Sequence, residues 1–135
     1  MYSHDTQQRV RYSETDKMGY LYHGNYAAYF ELGRVETIRS LGISYKDIED
    51  VHGIWLPVMS LETRFIRPAY YDDVLTIHTE IRRKPDEYIV FHTEIFTPNK
   101  KLCAGARVKL CFFDAKLKKV VVAPPFFMEA LSAYF

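Results

Sequence analysis

Cysteine is scarce: the 135-residue chain has two, Cys103 and Cys111. Both fall in one apolar, strand-like stretch without CxxC or zinc half-site spacing. This argues against a disulfide framework or a zinc module, and reduced packing thiols of a cytoplasmic protein are expected. No apolar run approaches the ~18 residues a membrane span needs. The polar start, Met1 to Val10, lacks the apolar centre of an export signal, so neither membrane insertion nor secretion is expected. No charge of one sign prevails either, because 18 Lys and Arg against 17 Asp and Glu leave a formal +1. A global field for nucleic acid is therefore absent, and an anionic partner must be met by a local patch. With six glycines, six prolines and no repeat or Ser/Gly-rich linker, collagen-like, disordered and solenoid classes drop out.

Aromatic residues, in contrast, are abundant at 16%, with eleven Tyr and nine Phe in a chain that is 48% hydrophobic. The length suits one domain, 1–135, and lets roughly 68% of the unfolded surface be buried without staples. Composition shifts near Pro57, from a helical first part to a strand-rich remainder. Gln7 to Tyr12 alternates as a short strand, and Ser13 to Gly24 is a glycine-punctuated loop. From Asn25, a possible N-cap, to Gly42, a C-terminal stop, the pattern predicts a long helix. It is apolar almost all round in its first half (Tyr26, Ala27, Ala28, Tyr29, Phe30, Leu32), so burial on several sides is expected. Glu31 with Arg34 and Glu36 with Arg39 stand at pairing distance along one stripe. Ser44 to Val51 reads as a shorter helix.

Alternating runs follow at Ile54 to Ile66, Asp73 to Lys84, Tyr88 to Thr97, Leu102 to Phe113 and Lys118 to Ala123. The breaks at Arg67-Pro68, Pro85-Asp86-Glu87 and Pro98-Asn99-Lys100 are too short for crossover helices, which predicts antiparallel pairing between neighbours. Small residues at Ala104, Gly105 and Ala106 leave room for curvature or a close helix. Pro124-Pro125 ends the last strand before a helix from Phe126 to Leu131. One helix clasped by a long curved sheet is an α+β layout, and a single helix leaves sheet uncovered, so self-association through edges and the open face is expected.

The loop before the long helix places Asp16, His23 and two glycines, Gly19 and Gly24, at a helix start. Unpaired N–H groups and partial positive charge at a helix N-terminus can polarise a carbonyl and hold an oxyanion. An acid beside it can act as nucleophile or general base on the same carbon. The plainer alternative makes Asp16 a turn residue and His23 a half-buried polar one. Arg82-Arg83-Lys84 is the densest basic cluster, with Arg64 and Arg67 as weaker candidates for binding phosphates. A turn centred near Pro85 would set His78 opposite His92; without a third ligand in register, the pair reads as ordinary surface histidines rather than a metal site.

The stretch Asp16-x-x-Gly19-x-Leu21-Tyr22-His23-x-x-Tyr26, then Phe30-Glu31-x-x-Arg34-x-Glu36 and Tyr71-Asp72-Asp73-x-Leu75, resembles the hot-dog-fold acyl-CoA thioesterases of the 4-hydroxybenzoyl-CoA thioesterase type. The likeness is greatest to the branch associated with the Tol-Pal system and covers nearly the whole chain. It implies a hot-dog fold, a long central helix wrapped by a curved antiparallel sheet, and hydrolysis of a short-chain or aromatic acyl-CoA. It also implies a catalytic Asp16, a thioester carbonyl held by the backbone N–H of His23, and a pocket shaped by Tyr22 and Gly24. Nucleotide contacts by Arg82, Arg83 and Lys84, no metal or other cofactor, and a homodimer or homotetramer with sites between subunits complete the expectation. Lys17 and Met18 stand where the family often has small residues or Pro. A related branch uses a helix Glu, which makes Glu31 and Glu36 rival bases. Acyl carrier protein as the acyl carrier, or a non-catalytic acyl-CoA-binding protein on the same scaffold, are the alternatives.

Overall fold

The computed structural model describes all 135 residues. The strands are β1 Tyr2–Arg9, β2 Ile54–Trp55, β3 Val58–Phe65, β4 Val74–Ile81, β5 Tyr88–Phe96, β6 Leu102–Asp114 and β7 Lys119–Val121. The helices are α1 Tyr26–Ser40, α2 Tyr45–Asp50 and α3 Pro125–Leu131. The sheet runs β1-β4-β5-β6, with the first half of β6 carrying β3 and its far end carrying β2 and β7. Every pairing is antiparallel. Period-2 burial separates its faces: Leu75, Ile77, Thr79 and Ile81 of β4 and Ile89, Phe91, Thr93 and Ile95 of β5 point inward. On this face lies α1, packed against β1, β4 and β5. The arrangement is the expected hot-dog fold.

Gly33 sets the depth of that helix. A Cβ at Gly33 would lie 2.6 Å from both Ile77 Cγ2 and Thr79 Oγ1, closer than side chains tolerate. Gly105, where room for an approaching helix was expected, has only ordinary clearance. Several other expectations are corrected. β1 begins at Tyr2 and ends at Arg9, and Tyr12–Glu14 is a 3-10 turn. α1 buries one face (Tyr26, Tyr29, Phe30, Gly33, Arg34, Thr37, Ile38), while Ala27 and Ala28 are exposed in the isolated chain. Glu36 and Arg39 do pair, but Arg34 turns inward to 7% exposure and forms no ion pair with Glu31. The Arg67-Pro68 break joins no hairpin, since β3 pairs with β6 and the chain crosses to β4. His78 lies opposite Glu94, and His92 opposite Glu80, so the two histidines do not face each other.

Candidate active site

The loop between β1 and α1 is folded back on itself and tied to the segment leading into β4. Asp16 N–H donates to the Tyr20 carbonyl at 2.9 Å, and Gly19, with φ +79°, closes the turn. Leu21 N–H donates to Ala69 O at 2.8 Å and Tyr71 N–H to Gly19 O at 3.0 Å. Within the turn, Asp16 Oδ1 accepts the N–H groups of Met18 (2.9 Å) and Tyr20 (3.1 Å). Its other oxygen, Oδ2, has no partner in the chain. Asp16 is therefore a turn residue by one oxygen, with the second unpartnered.

Beyond Leu21 the chain enters a 3-10 turn, His23–Asn25, which runs directly into α1. The N–H groups of His23 and Gly24 have no acceptor in the chain, as the first donors of a helical segment should not. Asn25 does not cap the helix with its side chain; its Nδ2 donates instead to Glu14 O at 2.9 Å.

Asp16, His23, Tyr20, Leu21, Tyr26 and the β3 exit from Phe65 to Pro68 line one open cavity of about 300 Å³. Aromatic edges form much of its wall: Phe65 meets Tyr26 at 5.1 Å and His23 at 6.4 Å between ring centroids. The Cys103 thiol donates to Arg67 O at 3.1 Å, which leaves the buried Tyr26 hydroxyl to donate to its sulfur at 3.5 Å. Burial pushes both the Tyr26 hydroxyl and the Cys103 thiol upward in pKa, so both stay protonated and hold the wall together.

The structure thus brings Asp16 and His23 together. Tyr22 and Gly24 stand beside the cavity rather than in its lining. The Tyr22 ring leans on His23 at 4.4 Å, and a Cβ on Gly24 would come within 2.6 Å of that ring, so glycine is what lets the ring fold over the turn. Neither Glu31 nor Glu36 reaches the cavity. Phe65, Ile66, Arg67 and Pro68 are the residues sequence reasoning missed as a pocket wall; Arg67 had been noted only as a cation.

Arg82, Arg83 and Lys84 lie in a second cavity of about 470 Å³, joined by His92, Arg107 and Lys109 from β5 and β6. It shares no lining residue with the first. Lys109 Nζ sits 4.2 Å above the Tyr88 ring. Burial together with Arg82 and Arg107 holds His92 below the usual histidine pKa, a sign of the local positive potential. The register His92 opposite Arg107, and Val90 opposite Lys109, aligns these cations on one sheet face.

Residues 10–131 match the Thioesterase-like superfamily. The chain belongs to that superfamily. A putative acyl-CoA thioesterase YneP of Bacillus subtilis is 35% identical over 97 residues, covering 72% of this chain and 70% of the relative. The acyl-CoA thioester hydrolase YbgC of Escherichia coli O6:H1 is 31% identical over 111 residues, 82% of each chain. Among solved structures, a DHNA-CoA thioesterase from Staphylococcus aureus superposes with a TM-score of 0.91 at 32% identity, over 98% of this chain and 91% of its own. A 4-hydroxybenzoyl CoA thioesterase superposes with a TM-score of 0.84 at 23% identity, over 95% of this chain and 97% of its own, and speaks for the fold alone.

Proposed function

We propose that this chain is an acyl-CoA thioesterase that releases a free acid and coenzyme A, with Asp16 as its catalytic carboxylate. The observation that carries the proposal is one cavity containing both a carboxylate with a free oxygen and a helix start with free N–H donors. Asp16 Oδ2 either attacks the thioester carbon or takes the proton of the attacking water. The His23 N–H receives the developing oxyanion, where a fixed donor lowers the barrier more than it binds the ground state. Collapse of the tetrahedral intermediate breaks the carbon–sulfur bond and expels the coenzyme A thiolate; where Asp16 itself attacked, water then hydrolyses the mixed anhydride, releasing the acid and restoring the carboxylate. The aromatic rings of Tyr20, Tyr26 and Phe65 in the cavity lining suit an aromatic or short-chain acyl group.

The basic cavity at Arg82, Arg83 and Lys84, enlarged by Arg107 and Lys109, is our candidate for the coenzyme A phosphates. It lies apart from Asp16 within one chain, which fits an assembly in which one subunit's cations serve another's Asp16. Strand β3 supports such an assembly. It pairs on one side only and exposes Val58, Met59, Leu61 and Phe65 at 43–55%, an apolar edge that a second copy would cover. We read 1–135 as one domain around its cluster of 24 buried residues. No helix is long and apolar enough to cross a membrane. A cytoplasmic location is supported by two buried, unpaired thiols.

Free-thiol release from a panel of acyl-CoA esters, measured for the parent and Asp16→Asn, is the test. Asparagine keeps the Oδ1 acceptor for Met18 and Tyr20 but loses charge and basicity, so turnover should fall on the order of a hundredfold or more with acyl-CoA binding retained. Parent-like turnover by Asp16→Asn, with Glu31→Gln or Glu36→Gln folded but inactive, would move the base to the helix.

A further inference from the structure

Glu14 does not line the cavity, yet it makes the contacts that run directly from the Asp16 arm to Asn25 and α1. Its backbone carbonyl accepts the Tyr22 N–H at 2.9 Å and the Asn25 Nδ2–H at 2.9 Å, one residue on each side of the His23-Gly24 pair. Its side chain reaches the other way. Glu14 Oε1 accepts the Arg11 N–H at 2.9 Å and the Tyr29 hydroxyl, one turn into α1, at 2.8 Å, and Oε2 meets the Arg11 guanidinium at 3.3 Å. Two residues further on stands Asp16. Burial works against the Glu14 charge, but the Arg11 N–H, the Tyr29 hydroxyl and the Arg11 guanidinium outweigh it and hold the carboxyl below its usual pKa. The Tyr29 hydroxyl is raised by burial and by this bond, so it remains the donor. The carboxylate's side chain is only 14% exposed, and each of its oxygens has a partner in the chain.

We propose that Glu14 is a positioning residue, whose carboxylate clamps the Asp16 arm to α1 through Tyr29 and so, beside backbone bonds that any residue at this position would make, fixes the catalytic carboxylate against the His23 oxyanion donor. This role rests on the assignment of Asp16 and His23 above. The clamp fixes relative placement: Glu14 lies outside α1 and outside the packing of α1 on β1, β4 and β5. Loss of the clamp loosens the distance between base and oxyanion donor, and a displacement near 1 Å in such geometry costs on the order of a hundredfold in rate.

The test is steady-state hydrolysis of benzoyl-CoA by the parent, Asp16→Asn, Glu14→Ala, Glu14→Gln and Tyr29→Phe, each checked for a cooperative melt. Glutamine retains an acceptor oxygen for Tyr29 and Arg11, so Glu14→Gln should keep kcat within a few-fold. Glu14→Ala should lower kcat by about ten- to a hundredfold with KM little changed. Tyr29→Phe should lower kcat in the same sense, and adding it to Glu14→Ala should cost nothing further. A fall confined to KM, or parent-like kcat in folded Glu14→Ala beside an inactive Asp16→Asn, would overturn the role of Glu14 alone. Parent-like turnover by Asp16→Asn would overturn the clamp together with the site it is meant to hold.

Discussion

Gly33→Ala is the sharpest test of how α1 is seated. Replacing glycine by alanine inside a helix would by itself stabilise the chain by about 1 kcal/mol. Here the added methyl would lie 2.6 Å from Ile77 Cγ2 and from Thr79 Oγ1. Both belong to β-branched side chains that are stiff at χ1 and fully buried, at 0% exposure. Neither can swing aside, so α1 must lift or β4 must bend, an overpacking cost of about 3 kcal/mol at the upper end of the usual range. The net is a loss of about 2 kcal/mol, or on the order of 6 °C in melting temperature for a domain of this size. Thr79 Oγ1 has no hydrogen-bond partner, so Thr79→Ala sacrifices little and removes one of the two collisions. Thermal melts followed by circular dichroism on the four members of the double-mutant cycle measure the coupling. The double variant should melt above Gly33→Ala. If Gly33→Ala melts at or above the parent, helix propensity has won, and the close approach of α1 to β4 is wrong.

Two further predictions concern assembly and pH. Leu61→Lys places a charge on the exposed apolar edge of β3 and should shift the mass found by light scattering toward the 15.9 kDa of one chain; an unchanged oligomer would locate the interface elsewhere. His78 loses some affinity for its proton through burial, but Asp5 and Glu80 on either side of it more than restore it, so its folded pKa is raised. Its contribution to stability is therefore fully present below the unfolded value of about 6.5 and is lost as pH rises through the higher folded one. With Asp5 mostly exposed the effect is small. The melting-temperature advantage of the parent over His78→Gln should shrink from pH 5.5 to 8.5, and a growing advantage would refute the ion pairs.

Much of the fold was legible because its elements carry strong periodicity: the long helix ended where Gly42 adopts φ +83°, and the alternating runs became β2 to β7, the first of them split into β2 and β3 at Leu56-Pro57. β1 was legible only in its last residues. Tyr2–Arg9 is polar on both faces and is a strand because eight residues pair along β4, a cause lying some seventy residues away. The register of β4 and β5 was misjudged for a related reason. A turn's centre was assumed at Pro85, whereas backbone pairing centres one residue later, which exchanges His92 for Glu94 opposite His78. Arg34 was assigned to a surface stripe by its spacing from Glu31, but spacing does not report which side of a helix meets the sheet. At the candidate site, the nearness of Asp16 and His23 was legible because a loop and a helix start are contiguous in sequence. The wall from Phe65 to Pro68 was not, since only the crossing from β3 to β4 carries it there.

Phe65 and Ile66 belong both to the wall of the Asp16 cavity and to the apolar rim at the end of β3. On the proposed assignments, a substitution that reshapes the acyl pocket at these positions also reshapes what the rim would offer to a second copy. Under that reading substrate range and quaternary structure are coupled at these two residues, so a variant selected for one should be checked for the other.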